Sequence, residues 1–393
     1  MRVLFVSDVY FPRVNGVSTS IRTFRGDLAR LGVQTTLVAP AYPNAPHDSD
    51  PSIIRVASGG VPRDPEDRRF LGKPLRQALQ ALAGQVDLVH VQTPFIAHYA
   101  GVRFARENGV PVVATYHTFF EDYLHHYVPI LPRGIGRFLA RRFTLSQCDD
   151  VAALISPSAP MRDALLAYGV QAPIEVLPTG LPAETFIRGD GAKFRRQFHL
   201  PSNRPLLLYV GRVAYEKNID FLLRMFARLR ARRPDALFVI AGEGPALAHL
   251  QKLARELGVA DHVKFIGYLD RATDLPNCYA AGDAFVFASR TETQGLVLLE
   301  AMAQGTPVVS TAELGTRSIL TEGCGAFVVP EDEERFVDAT LQALEVEADD
   351  PRRAQLHAHA ESWASQAMAR KLVDFYGKVT AAAAARASQP LST

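Results

Sequence analysis

With 393 residues, the chain is too long for one ordinary core and fits two domains of roughly 150–200 residues each. Its composition, 48% hydrophobic, 21% charged and 9% aromatic, is that of an ordinary soluble globular protein. A formal net charge of +2 gives no global attraction to nucleic acid, so no nucleic-acid partner is expected and any basic surface is local.

The opening "MRVLFVSD" carries one charge and passes into a strand pattern, without the apolar core or cleavage region of a signal peptide. No apolar run approaches the ~18 residues of a membrane span. Cys148, Cys278 and Cys324 are scattered with no CxxC pair, which argues against a disulfide framework or zinc site and fits a reducing cytoplasm.

In chain order, 2–8, 34–40, 87–92, 111–117, 152–158 and 174–180 read as strands of a buried parallel sheet. Between the first two, Ile21, Phe24, Leu28 and Leu31 fall at helical spacing. After "HLPSNRP" the pattern restarts with strands at 206–212, 237–244, 263–269, 284–289, 306–311 and 325–330. Strand–helix alternation occurring twice predicts α/β architecture with two doubly wound Rossmann-like domains, 1–183 and 204–365. A helix at about 366–385 is expected to pack back onto the first domain, and the alanine-rich tail after 380 to fray. Ligands of such sheets lie beyond the carboxyl ends of the strands, and two domains offer a cleft between them.

Several motifs follow strand ends. Asn15-Gly16 can turn tightly and bring bare backbone to a ligand, before a helix capped by Ser18 or Thr19. "DSD" (48–50) looks like a metal-carboxylate motif but sits away from the strand ends, and reads as a solvated loop. His117 ends the strand "PVVATYH", where it could bond a sugar hydroxyl or stabilise developing charge; a structural or surface role is the other reading. In 128–147, Ile135, Phe138, Leu139 and Phe143 form an apolar stripe flanked by Arg133, Arg137, Arg141 and Arg142. That pattern suits an anionic membrane surface, or a core-packed helix with solvated arginines.

The loop "GRVAYEKNID" presents Arg212, a planar fork for phosphate oxygens, and Lys217, a mobile point charge, before a helix starting near Asn218. With backbone N–H groups at the helix start this suits a diphosphate; the alternative is a solvated charged loop. "AGEGP" (241–245) is a weaker signal and is not GxGxxG. In "RTETQGLVLLEAMAQGTPVV" (290–309) Gly295 separates Glu292, in a bend, from Glu300, inside an apolar helix beginning near Leu296. The two acids would then reach different parts of one elongated ligand.

Together, "PRVNGVSTSI", "TYHTFFEDYLHHY", "GRVAYEKN" and "FASRTETQGLVLLEAMAQGTPVV" resemble the retaining glycosyltransferases of the GT4 family, with the GT-B fold, over essentially the whole chain. "TYHTFFEDYLHHY" and "TETQGLV" look most like the bacterial enzymes that glycosylate diacylglycerol. The resemblance implies that Arg212 and Lys217 hold the donor diphosphate and that Gly16 approaches it from the other domain. Glu300 would accept from the ribose hydroxyls, and Glu292 would contact the donor sugar. Thr293, Gln294, Gly295 and Leu296 would line sugar and phosphates, and Tyr268 and Leu269 would flank the base. His117 would sit beside the anomeric centre, with Asn15, Tyr116, Thr118 and Glu121 on the acceptor side.

The resemblance thus implies α-transfer of a hexose from a nucleotide sugar, UDP-glucose or similar, to a lipid such as diacylglycerol, without cofactor or metal. The enzyme would lie at the inner, anionic face of the cell membrane. A soluble or polysaccharide-precursor acceptor is the rival reading. A GT-B sugar-nucleotide epimerase would not need the acceptor-side segment, and the intact Arg212, Lys217, Glu292, Glu300 and His117 argue against a non-catalytic sugar-nucleotide-binding protein. Two departures stand out: Asn15-Gly16-Val17 replaces the double glycine of many members, and the loop "AELGTRSI" is less glycine-rich than usual.

Overall fold

The computed structural model describes all residues except 44–47, 62–63, 118–132, 272 and 388–393. The chain divides into two compact units. The first holds the described residues up to Gly180 and from Ser365 onward; the second is built on Leu181–Ala364.

The first unit contains β1 (Arg2–Val6), β2 (Gln34–Pro40), β3 (Ile53–Val56), β4 (Ser58–Val61), β5 (Asp64–Phe70), β6 (Leu88–Val91), β7 (Val112–Thr115), β8 (Ala153–Ser156) and β9 (Ile174–Val176). Seven of them form a wholly parallel sheet in the order β3-β2-β1-β6-β7-β8-β9, while β4 and β5 make a separate antiparallel pair. Helices cover this sheet, so its strands are apolar throughout: Val3, Leu4, Phe5 and Val6 are all at most 2% exposed.

The helix Gly16–Arg30 buries Ile21, Phe24 and Leu28 as their spacing predicts, but Leu31 is exposed because it already lies at the C-cap. Its N-cap is Asn15, not Ser18 or Thr19: the Asn15 side chain accepts from the Ser18 amide at 2.8 Å, and the Ser18 hydroxyl instead donates back to the Arg13 carbonyl. The C-terminal helix, Ser365–Ala387, sets Met368, Leu372, Phe375, Tyr376 and Val379 into the first unit's core. It runs seven residues past 380, since alanine is the strongest helix former, so that stretch does not fray at 380.

Asp48 and Asp50 lie in the partly exposed loop expected of them, and both are ion-paired: Asp48 accepts from two Arg55 nitrogens at 2.7 and 3.0 Å, and Asp50 from Arg25 at 2.9 Å.

The second unit contains β10 (Leu206–Val210), β11 (Leu237–Ala241), β12 (Val263–Gly267), β13 (Ala284–Phe287), β14 (Val308–Ser310) and β15 (Phe327–Val328), in the parallel order β12-β11-β10-β13-β14-β15. Tyr209, Phe226, Phe238, Phe285, Phe287 and Phe336 fill its core, each contributing on the order of 1.5–3 kcal/mol of transfer free energy. In both sheets the strand order reverses beside the first strand, at β1/β6 and at β10/β13. In doubly wound sheets the loops leaving such strands diverge, and ligands bind in the crevice between them.

Candidate active site

In the second unit, two loops flank the reversal point. One leaves β10 with Arg212 and Lys217; the other leaves β13 with Glu292. The Arg212 loop is built rigidly. The buried Tyr209 hydroxyl donates to the Arg212 carbonyl at 3.1 Å, and the Val213 amide donates to the Glu243 carbonyl at 2.8 Å. "AGEGP" is therefore the backing of the cation loop rather than a separate site. Asn218 caps the helix Ile219–Arg232, and its amide donates to the Ala288 carbonyl at 3.2 Å, tying the two loops together.

Lys217 Nζ and Glu292 Oε1 meet at 2.6 Å across the reversal point, each side chain a little under one-fifth exposed. Arg212 Nη1 lies 3.7 Å from the buried Glu216. The acid loop owes its shape to two glycines. Gly295 has φ +99°, a left-handed conformation that any side chain would strain, and it starts the helix Leu296–Ala303. Gly315, in "AELGTRSI", donates to the Glu292 carbonyl at 2.8 Å, and a Cβ there would fall 2.1 Å from the Thr293 carbonyl oxygen.

Glu300 is 4% exposed inside that helix. Tyr279 donates to its Oε2 at 2.8 Å, and Arg271 binds its Oε1. Burial and then the Glu300 charge push the Tyr279 hydroxyl well above its usual range, so it remains a donor at any working pH. Arg271 and Tyr279 carry no motif in the sequence and emerge only from the fold. In the same unit, Tyr268 is half exposed and Leu269 buried, while Gln294 is buried beside partly exposed Thr293 and Leu296.

In the first unit, Gly16 opens its helix, and a Cβ there would meet nothing within 4 Å. The local fold does not demand this glycine, unlike Gly295. Following β7, His117 places Nε2 3.1 Å from the Gln92 side-chain oxygen, from the residue following β6. Tyr116 turns the other way: it is 7% exposed, with its hydroxyl 2.8 Å from Thr144, so its ring belongs to the core rather than to an acceptor surface. Thr118 and Glu121 lie outside the described residues.

On the helix Arg133–Asp149, Ile135, Phe138 and Leu139 are 52%, 62% and 48% exposed, while Phe143 is half-buried. Arg141 is exposed and donates to the Ala167 and Tyr168 carbonyls at 3.0 and 2.9 Å, closing the end of the helix Ala159–Tyr168. Arg142 is exposed; the Arg133 and Arg137 side chains lie outside the described residues. Among the described residues no three His, Cys, Asp or Glu are grouped to hold a metal, and no helix is long and apolar enough to cross a membrane.

Burial holds the His117 imidazole down at about 4, and burial, then His117 itself, holds His90 well below its usual range. The folded state thus resists protonating them; the contribution of His117 is complete above the ordinary histidine pKa of about 6.5 and is lost as pH falls toward about 4. Asp8 acts oppositely: burial, against hydrogen bonds from Thr93 and Ala97, raises it to about 6, so its contribution is lost as pH rises through that value. We therefore expect His117→Asn to lose less stability than wild type between about pH 6.5 and 4, Asp8 being common to both. Urea unfolding across that range checks this, and parallel losses would contradict the burial of the ring.

Comparison with known proteins gives the site its family. The model of "Glycosyltransferase Family 4" matches residues 14–185, and that of "Glycosyl transferases group 1" matches 190–363. The chain is 35% identical over 319 residues to the alpha-monoglucosyldiacylglycerol synthase of Streptococcus pneumoniae, covering 79% of this chain and 71% of that one. It is 30% identical over 364 residues to the GDP-mannose-dependent alpha-(1-6)-phosphatidylinositol monomannoside mannosyltransferase of Mycolicibacterium smegmatis, covering 90% of each. Among solved structures, sucrose-phosphate synthase from Thermosynechococcus elongatus superposes with a TM-score of 0.78 at 22% identity, covering 97% and 99% of the two chains. Anabaena HepE in complex with UDP superposes at 0.74 with 17% identity, covering 96% and 100%. The chain belongs to the family 4 glycosyltransferases and has their GT-B fold.

Proposed function

We propose that the protein transfers a hexose with retention from a nucleotide sugar, UDP-glucose foremost, to diacylglycerol, forming an α-glycosidic bond at an anionic membrane surface. The Lys217–Glu292 pair at the β10/β13 reversal point carries the donor half of this reading. Each of these charges neutralises the other. A donor inserted between them would give Lys217 a phosphate and Glu292 a sugar hydroxyl, so neither buried charge is stranded. Glu300, already oriented by Tyr279 and Arg271, would accept from the ribose hydroxyls. Tyr268 and Leu269 would flank the base, and the backbone of Thr293 to Leu296 would line the sugar and diphosphate.

Chemically, the sugar–phosphate bond breaks through an oxocarbenium-like state while negative charge grows on the leaving diphosphate. Arg212, Lys217 and the start of the helix Ile219–Arg232 would stabilise that charge. The leaving phosphate then takes the proton of the acceptor attacking from the same face. Gly16 would approach the donor with bare backbone, and His117, neutral at pH 7, would bond a sugar hydroxyl near the reacting carbon. With fixed cations in this role, turnover should survive EDTA; loss restored only by magnesium or manganese would contradict it.

The lipid acceptor rests on the synthase relative and on the exposed Ile135, Phe138 and Leu139, which suit shallow insertion into a bilayer. Replacing all three by serine should abolish sedimentation with anionic vesicles and depress transfer to vesicle-borne diacylglycerol, leaving donor affinity intact. Unchanged sedimentation of the folded variant would favour a soluble acceptor. The donor is tested by incubating the protein with UDP-glucose, UDP-galactose and GDP-mannose, with and without diacylglycerol, and weighing the products. GDP-mannose belongs in the panel because a relative 30% identical over 90% of the chain is named for it.

A further inference from the structure

Beneath the end of β7 runs a polar seam that is buried at His90, Gln92 and Tyr376 and partly exposed at Thr115 and His117. His90 and Gln92 alternate along β6 and its continuation, so both side chains point to one face; Thr115 and His117 do the same on β7. Each residue of the first pair binds one of the second: His90 Nε2 lies 2.7 Å from Thr115 Oγ1, and Gln92 Oε1 lies 3.1 Å from His117 Nε2. The far end is closed by Tyr376 of the C-terminal helix, whose hydroxyl is 2.6 Å from His90 Nδ1. The Tyr376 ring stands edge-on to His90 at 5.7 Å and 80°, and Phe5 packs on that imidazole at 5.0 Å.

The direction of these hydrogen bonds follows from burial. Tyr376 is 0% exposed, and His90 is the partner its hydroxyl has among the described residues. A buried phenol must place its proton, so it donates to Nδ1. His90 is then the Nε2–H tautomer and donates to Thr115. Gln92 is 2% exposed, and its amide nitrogen has no partner among the described residues. A side chain present only for packing would not carry that cost. Among the described residues its side chain has one hydrogen bond, to His117.

We propose that Tyr376, His90 and Gln92 are positioning residues: the first two pin Thr115, two positions before His117, and Gln92 takes the Nε2 proton of His117, leaving Nδ1 as the acceptor nitrogen. The inference rests on the reading that His117 lies beside the reacting sugar, and it makes the C-terminal helix part of that residue's mounting.

The test uses full-length, nitrogen-15-labelled protein, with the His117 ring signals assigned by difference from His117→Asn. Wild type should show His117 as the Nε2–H tautomer, and Gln92→Leu should shift it toward a tautomer mixture. Tyr376→Phe should move the His90 and His117 ring signals. It should also lower kcat about tenfold with UDP-glucose and diacylglycerol vesicles, leaving the donor KM within about twofold. Thr115→Val should behave likewise and Thr115→Ser should be near wild type, which keeps the test available if Tyr376→Phe folds poorly. A wild-type His117 protonated on Nδ1 would overturn the role of Gln92. A lowered melting temperature with unchanged ring signals and kcat would reduce the seam to structural support. If His117→Asn transfers sugar at the wild-type rate, the role given to His117 fails, and the ring spectra still decide whether the seam sets its tautomer.

Discussion

Arg212→Ala and Lys217→Ala should each lower turnover at least ~100-fold, the loss produced by ~2.7 kcal/mol of transition-state stabilisation. Both side chains leave one rigid loop at the reversal point, where the growing charge of a leaving diphosphate would need preorganised donors. The loop shape comes from Tyr209, Val213 and the 241–245 segment rather than from the cations, so both variants should fold. Lys217→Ala carries a second effect, because it strands the Glu292 carboxylate that Lys217 holds at 2.6 Å. Lys217→Ala combined with Glu292→Gln should therefore regain thermal stability without regaining turnover. Near-normal rates in both folded single variants would remove the diphosphate assignment.

The two acids should fail differently. A ribose contact is nearly the same in ground and transition states, so Glu300→Ala should raise the donor KM, by ~100-fold if one charge-assisted pair is lost, with a smaller change in kcat. Its removal also leaves Arg271 and Tyr279 facing each other without their acceptor, so some stability is lost as well. On the proposed reading Glu292 contacts the sugar, where charge develops, so Glu292→Ala should lower kcat more than it raises KM. Steady-state kinetics on both variants separates the cases; a reversed pattern would exchange their roles.

The doubly wound architecture was legible because parallel strands buried on both faces are continuous apolar runs, and all six strands read in the second domain are found there. Glu292, Glu300, Arg212 and Lys217 were legible because each lies in a motif beside a strand end. What escaped was set by distance or by weak patterning. β5, "DPEDRRF", is a charged strand paired, among the described residues, only with β4, and neither shows apolar alternation. Arg271 and Tyr279 reach Glu300 from 29 and 21 positions away, and Gln92 reaches His117 from 25. Such partners are chosen by strand order, which local sequence does not encode. Helical spacing placed Arg141 on an exposed basic face, where the structure keeps it, but its bonds to the carbonyls of Ala167 and Tyr168, which end a neighbouring helix, carry no local sequence signal.

The most direct measurement is the anomeric configuration of the lipid product. Protein, UDP-glucose and dioleoylglycerol in anionic vesicles are incubated, and the extracted glycolipid is examined by proton NMR. A single α-glucosyl-diacylglycerol is expected, formed by wild type and lost in Lys217→Ala. A β-linked product would contradict same-face transfer, and sugar appearing only in water-soluble products, with the lipid unmodified, would contradict the lipid acceptor.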